Sequence, residues 1–414
     1  MLAANDPSVL RWRLSLLMFL QYAPAGAVLP MFTRHLKELQ FTPVEIGLAC
    51  ATQSLAGLLA TSFAGQLADR WVATERCLAV FSFAASVLLW LLADLTTFPA
   101  VFALSLVFWL LMVPVLTLGT SLCFHHLAAA GSGFGPVRMW GTVGWVAAVW
   151  LLSGWLDNPT ALELLRVRLR PSDPDARLAD MFRLAAALTF VLGLYSLTLP
   201  HTPPSRGGAH WLAPLAALKL LRRRSFAVYL AITLGIVATI PFSSQLTPLL
   251  LNREGVPDTW LARTLTIAQS TEIIVLAVLP WLMERLGDRT TMLVGLVGWT
   301  LGLGALTIGE PVLLVAGSLT MNGLCIGCYV VAGQVFINRQ APADIRASVQ
   351  GLFAITTGLG NLIGNILVGK VHAWADEAFT PTFAVACATA AVLTCVFLVG
   401  FDSSEAPSGE LVRS

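Results

Sequence analysis

Charge is scarce in this sequence: Asp, Glu, Lys and Arg make up 12% of its 414 residues, hydrophobic residues make up 57%, and the mean hydropathy is +0.77. A soluble domain cannot hide that much apolar surface inside itself, so an ordinary globular class is excluded. The net charge is only +2, and no basic block extends beyond Arg222, Arg223 and Arg224, which argues against nucleic acid as a partner. The seven cysteines are scattered through apolar runs and form no disulfide framework. Cys325-x-x-Cys328 has redox spacing but lies mid-run, where a thiolate has no polar access, and is read as a pair of small packing residues. There is no His-Glu-x-x-His, no Gly-x-Ser-x-Gly and no ATP-binding loop, so the constellations of an intramembrane enzyme or a primary pump are missing. No cofactor is implied. His125-His126 has no metal-ligand neighbours in sequence and is read as an exposed turn, so no metal is expected.

What the sequence does have is long apolar runs. A helix needs about 20 mostly apolar residues to cross a bilayer. Twelve runs qualify: Leu14–Phe32, Ile46–Gly65, Leu78–Leu95, Ala100–Phe124, Met139–Trp155, Leu184–Leu199, Phe226–Leu251, Leu261–Met283, Thr291–Ile308, Pro311–Ile337, Val349–Val368 and Phe383–Gly400. Their lengths predict helices, since barrel strands would alternate and be half as long. The first run follows Arg11 and Arg13, is too long for the apolar core of a leader and lacks a small-residue cleavage site, so it is read as a span. With both ends inside, 15 of the 25 Lys and Arg residues fall on inner segments, and five of the rest crowd the long loop after span five. The expected location is the cytoplasmic (inner) membrane, with both termini in the cytoplasm.

Pro200–Arg224, with Pro203, Pro204, Gly207 and Gly208 ahead of the basic run, divides the spans six and six. The halves echo each other. Asp69-Arg70 after span two and Glu284-Arg285 after span eight are offset by 215 residues, and Gln53-Ser54 and Gln269-Ser270 by 216. The predicted organisation is a six-helix bundle over 1–199, a cytoplasmic linker over 200–224 and a second bundle over 225–414, with a site between them.

Gly65-Gln-Leu-Ala-Asp69-Arg70, followed by Arg76, resembles the loop motif between spans two and three of the major facilitator superfamily. The resemblance implies a charge lock made by Asp69, Arg70 and Arg76, although Trp71 and Val72 stand where a glycine is usual. The stretch from Phe134 to Trp145 is similar to the start of span five in the nucleoside:proton symporters, and related forms occur in oligosaccharide:proton symporters. Leu197-Thr-Leu-Pro-His201, Gln269-Ser-Thr-Glu272 and Ile345-Arg-Ala-Ser-Val-Gln-Gly351 resemble the nucleoside symporters as well.

Arg138, Thr142 and Trp145 are spaced i, i+4, i+7 and share one helix face. By spacing alone Arg138 is either a snorkelling interface residue or a site residue; the resemblance implies that all three contact solute. Arg138 offers a fixed fork of donors and Trp145 a ring face for a sugar or base. Glu272 is the acidic residue well inside an apolar run, where a carboxylate must be protonated or paired, which suits a proton carrier. Gln269, three residues earlier, matches a polar site position of the family. The resemblance aligns Thr239 and Phe242 of span seven with two amides of the family, and Asn322, Ile326 and Gly327 of span ten with aromatic and acidic positions. Gln21 is mid-span, and Thr357, Asn361 and Asn365 form a stripe on span eleven that reads equally as interhelical glue or cavity lining.

The expectation is an all-α membrane protein, with twelve transmembrane helices in two pseudo-symmetric halves of the major facilitator fold. It is expected to be a carrier rather than an enzyme, coupling protons to uptake of nucleosides or a related small polar solute by alternating access. Its expected partners are that solute, protons and the lipid bilayer, with the monomer as the working unit. A sugar or aromatic-acid symporter shares the span-five motif and is the alternative; a transporter-like membrane sensor is the alternative of another class.

Overall fold

The computed structural model describes residues 7–70, 73–129, 134–157, 178–202, 218–340 and 346–401, with backbone alone at 7, 61–70, 128–129, 218–219, 340 and 346–347. In order come α1 (Pro7–Glu38), α2 (Pro43–Arg70), α3 (Thr74–Leu92), α4 (Phe98–Ala129), α5 (Gly135–Asp157), α6 (Asp180–Ser196), α7 (Arg224–Arg253), α8 (Asp258–Ile308), α9 (Val312–Cys325), α10 (Ala332–Gln340), α11 (Arg346–Trp374) and α12 (Phe379–Gly400). No strand occurs among the described residues. A π-helical turn, Ile326–Val331, joins α9 and α10 into one rod. Most of the expected linker (203–217), most of the long loop after α5 (158–177), Ile345, and the side chains of Asp69, Arg70 and Arg346 lie outside the described residues.

Among the described residues, ten helical rods are long and apolar enough to cross a membrane. The longest, α8, has 51 residues, which at about 1.5 Å per residue is more than two bilayer cores. It breaks at Gly287, where φ 77° and ψ 164° suit glycine alone. The charges Glu284, Arg285, Asp288 and Arg289 flank the break, so expected spans eight and nine are two arms in series, with a kink where a loop was expected. The 17 residues of α6 sit at the lower limit of a span, about 17.

Local signals explain individual ends. Thr42 and Glu45 form a reciprocal capping box at the start of α2: the Thr42 N–H donates to Glu45 Oε2 at 2.9 Å, and the Glu45 N–H donates to Thr42 Oγ1 at 3.3 Å. Pro24, Pro30, Pro114, Pro241, Pro248 and Pro280 all lie inside helices, as bilayer spans tolerate. His125 and His126 sit within α4, which corrects the expected turn. His126 Nε2 is 2.9 Å from Thr202 Oγ1, on the segment leaving α6.

The chain packs as two compact units. The first comprises Met1–Phe41, Leu55–Gly208 and the short segment Pro257–Arg263. In it α1 lies along α5, and the opening turns of α8 are tied by Arg34–Asp258 at 3.2 Å and Arg263–Asp157 at 2.7 Å. The second comprises Thr42–Ser54, Ala209–Val256 and Thr264–Ser414. Its α7 packs on α11 through glycine: a Cβ on Gly360 would lie 2.8 Å from the Leu234 carbonyl oxygen, and Gly364 sits against the backbone of Ala238. Close backbone approach through small residues is how helices pack where lipid supplies no hydrophobic driving force.

Candidate functional site

In the first unit, the site residues depend on how near α5 comes to α1. A Cβ on Gly26 would lie 2.8 Å from Trp145 Cα, and one on Gly144 would lie 2.8 Å from the Phe19 carbonyl carbon. Only hydrogen fits at either place. This seam brings Arg138 across to α1, where its guanidinium carbon stands 4.1 Å from the centre of the Tyr22 ring. Gly141 leaves the room: a Cβ there would meet Arg138 Nη1 at 2.7 Å and Tyr22 Cδ2 at 2.8 Å. Arg138 is therefore part-buried against an aromatic face, in a cation–π contact. It makes no hydrogen bond with any described residue. Thr142 is half-exposed one turn on. The Trp145 indole nitrogen is buried and has no hydrogen-bond partner among the described residues. Three hydrogen-bonding groups of α5 are thus unspent inside the fold. Tyr22, which holds Arg138, was missed in the sequence; the glycines facing it were the only trace.

Beside them, Gln21 belongs to the core. It is fully buried, its Nε2 donates to the Val115 carbonyl at 2.8 Å, and its Oε1 rests against Gly119.

In the second unit, the first arm of α8 lies against the α9 rod at two more glycines. A Cβ on Gly323 would sit 2.6 Å from the Glu272 backbone nitrogen, and Gly327 faces the Val275 side chain. Glu272 and Gln269 on α8, and Asn322 and Ile326 on the facing rod, are all half-exposed and are brought together at this crossing. Ile326 opens the π-turn, a helical irregularity frequent at functional sites. In that turn the Tyr329 hydroxyl lies 3.0 Å from Thr233 Oγ1. Thr239 and Phe242 are placed differently: both are buried. The Thr239 hydroxyl accepts from the Trp299 indole N–H at 2.8 Å and donates to the Ile236 carbonyl at 2.6 Å. Span seven does carry an amide, three residues past Phe242: Gln245 is buried, and its Nε2 donates to Asn365 Oδ1 at 2.5 Å.

Arg76, of the expected lock, is exposed at the start of α3. Its neighbour Glu75 was not singled out in the sequence, yet it is buried. It accepts from the Thr202 N–H at 3.1 Å and lies 2.7 Å from His201 Nδ1, clasping the end of α6.

The model of the nucleoside H+ symporter family matches residues 9–406. The chain belongs to the nucleoside H+ symporter family. Among curated relatives, the nucleoside permease NupG of Escherichia coli (strain K12) is 26% identical over 385 residues, covering 87% of this chain and 88% of that one. The xanthosine permease of the same organism is 27% identical over 379 residues, 86% of each. The crystal structure of the nucleoside transporter NupG superposes with a TM-score of 0.79 at 23% identity, covering 94% of this chain and 98% of that one. A D-xylose-proton symporter superposes at 0.71 with 12% identity, covering 96% and 98%. These likenesses show the fold, the major facilitator fold. This symporter is a multi-pass membrane transporter, and its unspent α5 donors and its α8–α9 crossing are placed on a family scaffold that the sequence motifs had indicated.

Proposed function

We propose that this chain takes up nucleosides together with protons by alternating access. In this reading it spans the cytoplasmic membrane twelve times with both termini inside, works as a monomer, and transforms no covalent bond. Residues 1–199 and 225–414 are its two six-helix halves, joined by a cytoplasmic linker.

The observation that carries the reading is on α5. A buried indole N–H without a partner, beside an arginine fork held against Tyr22 but unbonded, is costly in a membrane protein unless a ligand completes it. A nucleoside supplies what is missing, namely acceptor oxygens and nitrogens for Arg138, Thr142 and the Trp145 N–H, and a flat ring. Permeases of nucleosides and of xanthosine among the relatives support that solute class. Gln269, Asn322, Ile326, Thr239 and Phe242 are further solute-binding residues in this reading. Glu272 carries the coupling proton; it is part-buried, and its backbone is backed by the Gly323 contact. Asp69, Arg70 and Arg76 form the lock that biases one conformation.

The test is Glu272→Gln, which fixes the neutral form. Nucleoside–nucleoside exchange survives, because neither direction then requires deprotonation, while uphill uptake driven by a pH gradient disappears. Full gradient-driven accumulation in this variant would remove the proton from Glu272.

A further inference from the structure

One polar feature is left over by that reading, the stripe on α11. Its three side chains do different things. Asn365 is buried and fully engaged: Oδ1 accepts from Gln245, and Nδ2 donates to the Asn361 carbonyl at 2.8 Å. Asn361 donates Nδ2 to the Thr357 carbonyl at 3.2 Å, and Thr357 donates its hydroxyl to the Phe353 carbonyl at 3.0 Å. Each of these side chains thus turns one donor back onto its own helix. Asn361 keeps one further N–H and its Oδ1, which accepts no hydrogen bond from any described residue; the oxygen is the group that the Asp variant below retains and the Ala variant removes.

The direction in which it faces follows from α11 itself. Leu359, Ile363 and Leu367 are 40%, 42% and 42% exposed and mark the lipid side. At 100° per residue, Asn361 lies about 200° around from both Leu359 and Ile363, on the side opposite the lipid. Gly360 and Gly364, between those two directions, are the ones pressed on α7. Along the stripe, exposure rises toward the end of α11 nearer Arg346: Asn365 is buried, Asn361 and Thr357 are half-exposed, and Ala354 is exposed. A polar row directed away from lipid, open at one end and closed at Asn365, has the exposure expected of a recess wall. Glue would instead be buried along its whole length.

We infer that Asn361 Oδ1 is a specificity-determining acceptor for the transported solute, reading a hydrogen-bond donor on the nucleoside, either an exocyclic amine of the base or the ribose 2′-hydroxyl. The inference rests on the nucleoside reading above. Gln245 and Asn365 are positioning residues, because their pair and the Asn365-to-Asn361 carbonyl bond set the register of the row.

The experiment uses the full-length carrier in proteoliposomes and measures half-saturation of exchange for three solutes: an amino-bearing purine nucleoside, its analogue with hydrogen in place of the amine, and its deoxyribose analogue. In Asn361→Ala, half-saturation should rise about 2- to 12-fold for every solute that keeps the donor, the value of one neutral hydrogen bond. It should be unchanged for the one analogue that lacks the donor, and which analogue that is identifies the amine or the ribose as the group read. Asn361→Asp, which keeps an oxygen acceptor, should restore the discrimination. Equal shifts for all three solutes, or none, would overturn the assignment and return Asn361 to a structural part. Failure of the wild type to exchange any nucleoside would strike the nucleoside reading instead, so the two failures are distinct.

Discussion

Gly144→Ala offers a sharp test of how the first unit builds its site. The added methyl carbon would lie 2.8 Å from the Phe19 carbonyl carbon, a backbone atom of a neighbouring helix that no rotamer change can move. Carbon contacts are optimal at about 3.5–4.0 Å, so α1 and α5 must part by roughly 1 Å. Overpacking of this kind costs about 1–3 kcal/mol. Tyr22 lies one turn from Phe19 and moves with it, away from Arg138, from which its ring centre now stands 4.1 Å. Loss of the cation–π contact, worth about 0.5–2 kcal/mol, lets the guanidinium fork turn and raises half-saturation for nucleoside exchange by about 2- to 30-fold. Gly154→Ala on the same helix is the control, because a Cβ at Gly154 meets nothing within 4 Å. Thermal unfolding in detergent and counterflow in proteoliposomes read the two effects separately. A Gly144→Ala protein as stable as Gly154→Ala, with unchanged half-saturation, would refute the α1–α5 seam as the element that positions Arg138.

Two further outcomes follow from the same geometry. Arg138→Ala should weaken binding itself and so reduce exchange and uphill uptake together, and Arg138→Lys should rescue little, since an ammonium lacks the planar donor fork and stacks less well on Tyr22; counterflow with labelled nucleoside measures both. Trp299→Phe removes the indole donor to Thr239, whose hydroxyl keeps its bond to the Ile236 carbonyl, and leaves a cavity in a fully buried place, so stability should drop by about 2–4 kcal/mol in thermal unfolding while the exchange half-saturation of the folded protein stays put.

Much of the fold was legible because a bilayer forces long apolar runs on any chain that crosses it, and the helices of the described residues follow those runs. The Gly287 break was half legible. The charges Glu284, Arg285, Asp288 and Arg289 mark where the apolar run stops, but nothing local says that the helix kinks there without a loop. The π-turn at Ile326–Val331 left no signal, since Ile-Gly-Cys-Tyr-Val-Val fits an ordinary helix as well. At the site, the i, i+4, i+7 spacing of Arg138, Thr142 and Trp145 could be read within one helix. The partner that orients Arg138 could not: Tyr22 lies on α1, and only the packing of α1 on α5 brings the two together. For the same reason the alignment of Thr239 with a family amide gives no hint of Trp299, far along the chain, which donates to its hydroxyl. Gln245 was legible in principle, as an amide inside an apolar run, and its partner Asn365 had already been noted on the facing span.

The central claim, that nucleoside and proton move together, is tested most directly by proton flux. Purified carrier is reconstituted in proteoliposomes holding a pH-sensitive dye, with no gradient imposed and the membrane potential clamped. Adding an outward nucleoside gradient by dilution, or an inward one by addition, should move the internal pH in opposite senses, with acidification accompanying nucleoside entry, and Glu272→Gln should abolish both signals while leaving exchange intact. Nucleoside entry at the wild-type rate with no change of internal pH would contradict the account.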